Sequence, residues 1–147
     1  MSILVTGGTG YIGSHTVVEL IKENEEVIIV DNLSNSDISV LDKIKEITGV
    51  YPKFYNVDLL NNVELEKIFE ENNIDEVIHF AGLKAVGESV AEPLKYYNNN
   101  IVGTLNLLET MNKYNCKKIV FSSSATVYGI PKVVPLTEEC SLETINP

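Results

Sequence analysis

Chemistry in this chain concentrates where bare backbone and acids recur. Glycines stand at Gly7, Gly8, Gly10 and Gly13 within Thr6-Gly7-Gly8-Thr9-Gly10-Tyr11-Ile12-Gly13. Positions 7, 10 and 13 read G-x-x-G-x-x-G, and positions 8, 10 and 13 also satisfy G-x-G-x-x-G. Backbone without side chains can turn sharply, lie against a pyrophosphate and let the next helix pack tightly on a sheet. The start of that helix then points free N–H groups at the phosphates. A glycine turn without a ligand is the plainer alternative. The signal is strong because a strand-like run precedes the turn and a helix-like pattern follows it. Asp31 comes eighteen residues after Gly13, at the end of a second apolar run. A carboxylate there can accept hydrogen bonds from the ribose hydroxyls of an adenosine and repels a 2′-phosphate. No Lys or Arg occupies positions 32–42, so NAD is favoured over NADP. The alternative for Asp31 is a turn or helix cap.

Those residues need a frame to hold them. Strand patterns cover 2–6, 26–30, 53–57, 75–80 and 117–122, and helix patterns cover 12–23, 38–48, 63–71 and 94–114. The second strand, Glu26-Val27-Ile28-Ile29-Val30, is β-branched from Val27 to Val30, as suits a parallel sheet covered on both faces. Gly82, Gly87 and Pro93 mark a loop between the fourth strand and the long helix. Strand and helix alternate, which predicts an α/β fold with a doubly wound parallel sheet, Rossmann-like, joined by right-handed crossovers. The expected organisation is one domain over residues 1–147, incomplete at its C-terminal end, where the last strands of the sheet and a substrate domain are missing.

Composition narrows the partners. The chain has 147 residues, eleven Lys, no Arg and twenty-one acids, for a net charge of −10. That balance argues against a nucleic-acid surface. No run of about 18 apolar residues suggests a membrane span. Cys116 and Cys140 form no Cys-x-x-Cys pair, and the start Met1-Ser2-Ile3 lacks a basic leader, so a cytoplasmic protein is expected. His15 and His79 read as structural residues and make no metal site.

Three further strings carry a resemblance: Asp31-Asn32-Leu33-Ser34-Asn35-Ser36, His79-Phe80-Ala81-Gly82-Leu83-Lys84-Ala85-Val86-Gly87-Glu88-Ser89, and Ser122-Ser123-Ser124-Ala125-Thr126-Val127-Tyr128-Gly129. With the glycine turn, they make the chain resemble the extended short-chain dehydrogenase/reductase family, on its nucleotide-sugar epimerase side. The resemblance runs over essentially the whole chain and under half of a typical family member. It implies NAD as cofactor, a UDP-sugar as substrate and interconversion of UDP-glucose and UDP-galactose by transient oxidation at C4, within galactose metabolism. It implies that the amides of Tyr11 and Ile12, beside Gly7, Gly10 and Gly13, hold the pyrophosphate. Asp31, Asn32, Leu33, Ser34, Asn35 and Ser36 are implied at the adenosine ribose, and Asp58 and Leu59 at the adenine. Phe80, Ala81, Gly82, Lys84, Asn99 and Ser122 are implied along the rest of the cofactor. Lys84, Ser124, Ala125 and Thr126 are implied at the substrate, with Ser124 hydrogen-bonding the 4-hydroxyl.

On the residues alone, other readings stay open. Asp58 can also be read as a helix N-cap, the serine run as turn chemistry, Lys84 as a solvated lysine and Asn99 as part of a polar face. The family's general base is a Tyr followed four residues later by a Lys, on a helix after the serine run, and that pair is absent from the 147 residues. Tyr114 and Lys118 have the spacing but precede the fifth strand. Tyr128 and Lys132 have it too, but Gly129 and Pro131 prevent a helix from aligning them. The chain by itself is therefore expected to be catalytically incomplete. A dehydratase would need an Asp-Glu pair where Ala125-Thr126 stand, because elimination requires an acid and a base. Other nucleotide-sugar epimerases and decarboxylases, and a non-catalytic NAD-binding module, remain alternatives. Homodimerisation, or self-association through an exposed fifth strand, is expected.

Overall fold

The computed structural model describes residues 1–131 and 133–147. Lys132, one half of the second Tyr/Lys pair, lies outside the described residues. Five strands form one parallel sheet: β1 Ser2–Thr6, β2 Glu26–Asp31, β3 Lys53–Asn56, β4 Glu76–His79 and β5 Lys118–Phe121. Their order across the sheet is β3-β2-β1-β4-β5. Every neighbouring pair is parallel, with Val5 opposite Ile29 on one side and Ile78 on the other. The chain runs outward from β1 to β3, then returns across the sheet to β4. The crevice between β1 and β4 is therefore the topological switch point, where open sheets of this kind take their ligands.

Helices cover both faces. Alternation along β1 and β2 sends Ile3, Val5, Val27 and Ile29 to one face, against Val17 and Val18 of α1 (Tyr11–Lys22) and Leu41 and Ile44 of α2 (Val40–Thr48). Leu4, Ile28, Val30 and Val77 face the other way, against Leu65, Ile68 and Phe69 of α3 (Asn62–Glu71) and Leu107 and Met111 of α6 (Gly103–Lys113). β1 has no exposed residue, as a central strand must. The expected doubly wound, Rossmann-like sheet is what the chain forms. No helix among the described residues is long and apolar enough to cross a membrane.

Two elements depart from the sequence reading. The segment read as a loop after β4 contains a short helix, α4 (Val86–Ala91). Six residues give too little periodicity to declare a helix. It is fixed from outside: Glu88 accepts from Lys95 Nζ and Tyr96 Oη, both at 2.6 Å. The second departure concerns the helix read as continuous over 94–114. It begins at Pro93 as α5 (Pro93–Tyr96), widens into a π-helical turn over Tyr97–Val102, and only then continues as α6. Proline suits a first helical position because its missing N–H has no partner there. The wider turn coincides with Asn98-Asn99-Asn100, and Asn100 hydrogen-bonds outward to the backbone of Leu83. Turns of this kind recur at functional sites.

β5 is an edge. Its burial is slight, with Val120 62% and Phe121 56% exposed.

Candidate functional site

The glycine turn closes on itself before α1 begins. Gly10 N donates to Gly7 O at 3.1 Å, and Ser14 N donates to Gly10 O at 2.9 Å. Gly7 takes a φ of +69°, which a side chain would resist. A Cβ on Gly7 would stand 2.7 Å from Ala81 N, and one on Gly13 would overlap the Gly7 carbonyl oxygen. The turn is thus packed backbone to backbone against the end of β4. The helix it opens has neither a side-chain cap nor an acid in its first turn. The first amides of a helix have no intrahelical acceptor, so Tyr11, Ile12 and Gly13 offer donors at a positive helix end. Tyr11 turns its side chain out to 83% exposure, leaving only backbone at that place.

Asp31 stands beside the turn, at the end of β2. Its Oδ2 accepts from Thr9 N at 3.2 Å, and its Oδ1 accepts from Leu33 N at 2.9 Å and Ser36 Oγ at 3.2 Å. Thr9 Oγ1 and Ser36 Oγ are 2.7 Å apart. The carboxylate ties the glycine turn to the loop after β2, so the cap reading holds in part. A carboxylate has about four lone-pair positions, and three are in use. One position remains for a ligand hydroxyl, unless Ser36 yields another.

Asp58 does not cap α3; Asn61 does, accepting from Glu64 N. Asp58 instead accepts from Leu60 N and from Asn32 Nδ2, each at 2.8 Å. That pair bridges the ends of β2 and β3.

The resulting cleft lies over the C-terminal ends of the strands. Gly7, Gly10, Asp31, Asn32, Ser34, Asn35, Ser36, Asp58, Leu59, Phe80, Ala81, Gly82 and Asn99 line it, all expected from the sequence. Leu33 does not line it; it takes a left-handed conformation at φ +56° and donates its N–H to Asp31. Phe80 to Leu83 also wall a second hollow, shared with Lys84, Ser122, Ser123 and Ser124. Lys84 and Ser122 therefore stand beside the main cleft, not in it. Ala125 and Thr126 line neither hollow. Both belong to a 3-10 turn (Ala125–Val127), where Ser124 Oγ accepts from Thr126 N at 3.3 Å and lies 2.8 Å from Thr126 Oγ1. Turn chemistry is thus one use of Ser124 in the chain as it folds.

Sequence reasoning missed Val30, Val57 and Leu83, which also line the cleft. Their signal was adjacency to Asp31, Asp58 and Gly82. His79, read as a structural residue, is buried at the end of β4. The imidazole is 2% exposed, with Nδ1 2.6 Å from Thr6 Oγ1 and Nε2 3.0 Å from Thr104 Oγ1. Burial, with help from the charge on Lys84, pushes its pKa down to about 4. It is neutral at pH 7. Tyr114 and Lys118 do not meet: the phenol donates to Glu70 at 2.7 Å and the ammonium pairs with Glu76 at 2.7 Å. Among the described residues, no group of three or more His, Cys, Asp or Glu is placed to hold a metal ion.

Residues 3–147 match the model of the NAD dependent epimerase/dehydratase family. The chain belongs to the NAD dependent epimerase/dehydratase family. It is 60% identical over 147 residues to the UDP-glucose 4-epimerase of Bacillus subtilis (strain 168), covering 100% of this chain and 43% of that protein. The UDP-glucose 4-epimerase of Dictyostelium discoideum is 59% identical over 99% of the chain and 42% of its own length. Among solved structures, UDP-glucose 4-epimerase from Bifidobacterium longum, in complex with NAD+ and UDP, superposes with a TM-score of 0.98 at 54% identity. That match covers 100% of this chain and 44% of the other. The enzyme from Stenotrophomonas maltophila, with bound NAD and formylated UDP-arabinopyranose, gives 0.96 at 46% identity over 99% and 44%. The chain thus spans under half the length of the epimerases it matches. A member of the NAD dependent epimerase/dehydratase family needs a place for a dinucleotide. Here the uncapped start of α1, the glycine cradle and Asp31 offer backbone N–H donors, close backbone and a carboxylate acceptor.

Proposed function

We propose that residues 1–147 form the NAD-binding, Rossmann-like domain of a UDP-glucose/UDP-galactose 4-epimerase. The observation that supports this most is the glycine-cradled, uncapped start of α1 with Asp31 beside it at the end of β2, next to the β1/β4 switch point. Amides of Tyr11, Ile12 and Gly13 would hold the pyrophosphate. Asp31, with Asn32 to Ser36, would hold the adenosine ribose, and Asp58 and Leu59 would border the adenine. Phe80, Ala81, Gly82 and Asn99 would wall the remainder, with Lys84 and Ser122 reaching in from the adjoining hollow. Bound NAD supplies reversible hydride transfer at C4 of the sugar. The chain's own part is to position and to exclude water. Ser124 would hydrogen-bond the 4-hydroxyl, exchanging its bond to Thr126 for one to the sugar. Ala125 and Thr126 are neither acid nor base, which favours epimerisation over dehydration. Two unpaired thiols, Cys116 and Cys140, suit the cytoplasm.

The test is titration calorimetry with NAD and NADP, alongside a turnover assay. The 147-residue chain is expected to bind NAD and to bind NADP at least about tenfold more weakly, because a phosphate would face the Asp31 carboxylate; tenfold corresponds to 1.4 kcal/mol. It is expected to show no turnover of UDP-galactose, for want of the Tyr/Lys pair. Equal affinity for the two dinucleotides, or turnover, would overturn the reading.

Self-association is part of the same proposal. The edge strand β5 presents unpaired backbone beside exposed Val120 and Phe121, and such edges template pairing with a second copy. Light scattering across a concentration series should show mass rising with concentration. A monomer at every concentration would refute this.

A further inference from the structure

The buried imidazole of His79 sits in a run of hydrogen bonds whose direction can be worked out. Thr104 Oγ1 donates its single proton to Asn100 O at 2.6 Å. Toward His79 Nε2, at 3.0 Å, it can then only accept, so Nε2 carries the ring proton. A neutral ring has one N–H, so Nδ1 accepts, and Thr6 Oγ1 donates to it at 2.6 Å. Thr6 Oγ1 in turn accepts a longer bond, 3.4 Å, from Ala81 N. The bonds run one way: Ala81 N–H to Thr6, Thr6 to His79, His79 to Thr104, Thr104 to Asn100. Asn100 closes the circuit through its side chain, accepting from Leu83 N at 2.8 Å and donating to Leu83 O at 2.9 Å.

The circuit joins the ends of β1 and β4, the loop of Phe80 to Leu83 and the π-helical turn that carries Asn99. Those last two are walls of the dinucleotide cleft. His79 lines the neighbouring hollow and not the cleft itself. We infer that His79, as its Nε2–H tautomer, is a positioning residue that sets the spacing between the Ala81–Leu83 wall and the Asn99 wall, and so governs dinucleotide affinity without touching the ligand. Only a side chain with one donor and one acceptor about an aromatic width apart can span Thr6 and Thr104 in that direction. This rests on the proposed NAD site for its effect on affinity, but not for its effect on the cleft.

The experiment keeps the two apart. Long-range 1H–15N correlation spectra of the unliganded chain should show His79 protonated at Nε2 and bare at Nδ1. In Thr104→Val the Nε2 proton loses its acceptor, and the amide signals of Ala81 and Leu83 should shift before any dinucleotide is added. NAD affinity should fall about tenfold, the scale of one lost buried hydrogen bond. Thr104→Ser, which keeps the hydroxyl, should restore both the amide signals and the affinity. An Nδ1–H tautomer would overturn the inference, as would Ala81 and Leu83 amides unmoved in Thr104→Val. If the unsubstituted chain bound no NAD, the functional proposal would fall, while tautomer and amide shifts would still decide the role of His79.

Discussion

Gly13→Ala is expected to abolish measurable NAD binding, a loss above about 100-fold, and to destabilise the chain by about 1–3 kcal/mol. The methyl carbon would overlap the Gly7 carbonyl oxygen and press on the Gly7 carbonyl carbon and Gly8 Cα, each 3.0 Å away. All three are backbone, so no side chain can rotate aside. The turn must open, and with it the N–H groups of α1 swing off the phosphate position. Two other glycines separate the causes. Gly49 has a φ of +78° but nothing within 4 Å of a Cβ, so Gly49→Ala carries backbone strain alone. It should cost about 1–2 kcal/mol and leave NAD affinity unchanged. Gly87 sits inside α4 with open space around it, so Gly87→Ala should stabilise by about 0.5–1 kcal/mol. Calorimetry and denaturant unfolding of the three variants read both quantities. Gly13→Ala binding like the parent chain would show that the cradle is not where the dinucleotide lies.

The second large effect is on stability against pH. His79 has its pKa lowered from 6.5 to about 4, by burial first and the Lys84 charge second. Around it stand the Thr6 and Thr104 hydroxyls and the Phe121 ring, 5.4 Å between centroids. None of these carries a negative charge to hold an added proton. Above pH 6.5 both folded and unfolded chains keep the ring neutral, and its contribution is complete. As pH falls below 6.5 the unfolded chain takes up a proton that the folded chain refuses, so stability falls by about 1.4 kcal/mol per pH unit. The loss ends near pH 4, at about 3 kcal/mol in all. Asp37 and Glu88 are also held below their ordinary values, by bonds to Ser39 and to Lys95 and Tyr96. Their stabilisation is lost only below their ordinary values of 3.8 and 4.5, outside the interval from pH 7.5 to 5, and both are on the surface. Urea unfolding at pH 7.5 and pH 5 should therefore differ by about 2 kcal/mol, and His79→Gln should flatten most of that difference. A His79→Gln chain with the parent's pH slope would place the sensitivity elsewhere.

Much of this architecture was legible before any coordinates. β1 was bounded residue for residue, because its apolar centre, Ile3 to Val5, runs into a glycine cluster. The glycine turn and Asp31 were placed at the strand ends from backbone geometry and ribose chemistry, and Phe80–Gly82 from the family resemblance; all of them border the cleft. Lys84 and the serine run were harder, since lysine and serine serve solvent, turns and ligands alike. Ser124 in fact serves a turn in this structure. What escaped was tertiary in origin. α4 exists because Tyr96 and Lys95 reach back to Glu88, and no local pattern announces that. The π-helical turn exists where Asn100 pairs with Leu83, seventeen residues away. His79 looked like a filled position at a strand end. Its two threonines lie 73 residues before it and 25 after it, beyond any window in which a motif is sought.

The central place of β1 also orders how the chain assembles. Its pairing with β2 joins residues about 24 apart, as the Met1–Glu25 ion pair marks, whereas its pairing with β4 spans 73. Closing the longer loop costs about 1 kcal/mol more entropy. On the ribosome, the first strand made waits through three crossovers before its second flank exists. Until His79 emerges, one side of β1 and the Thr6 hydroxyl lack partners. The glycine turn takes its backing from Ala81, so the cradle acquires its shape only after β4. Nascent chains shorter than about 80 residues should be sticky and unable to hold a dinucleotide, and the commitment to the native sheet comes late, in one step, when β4 docks.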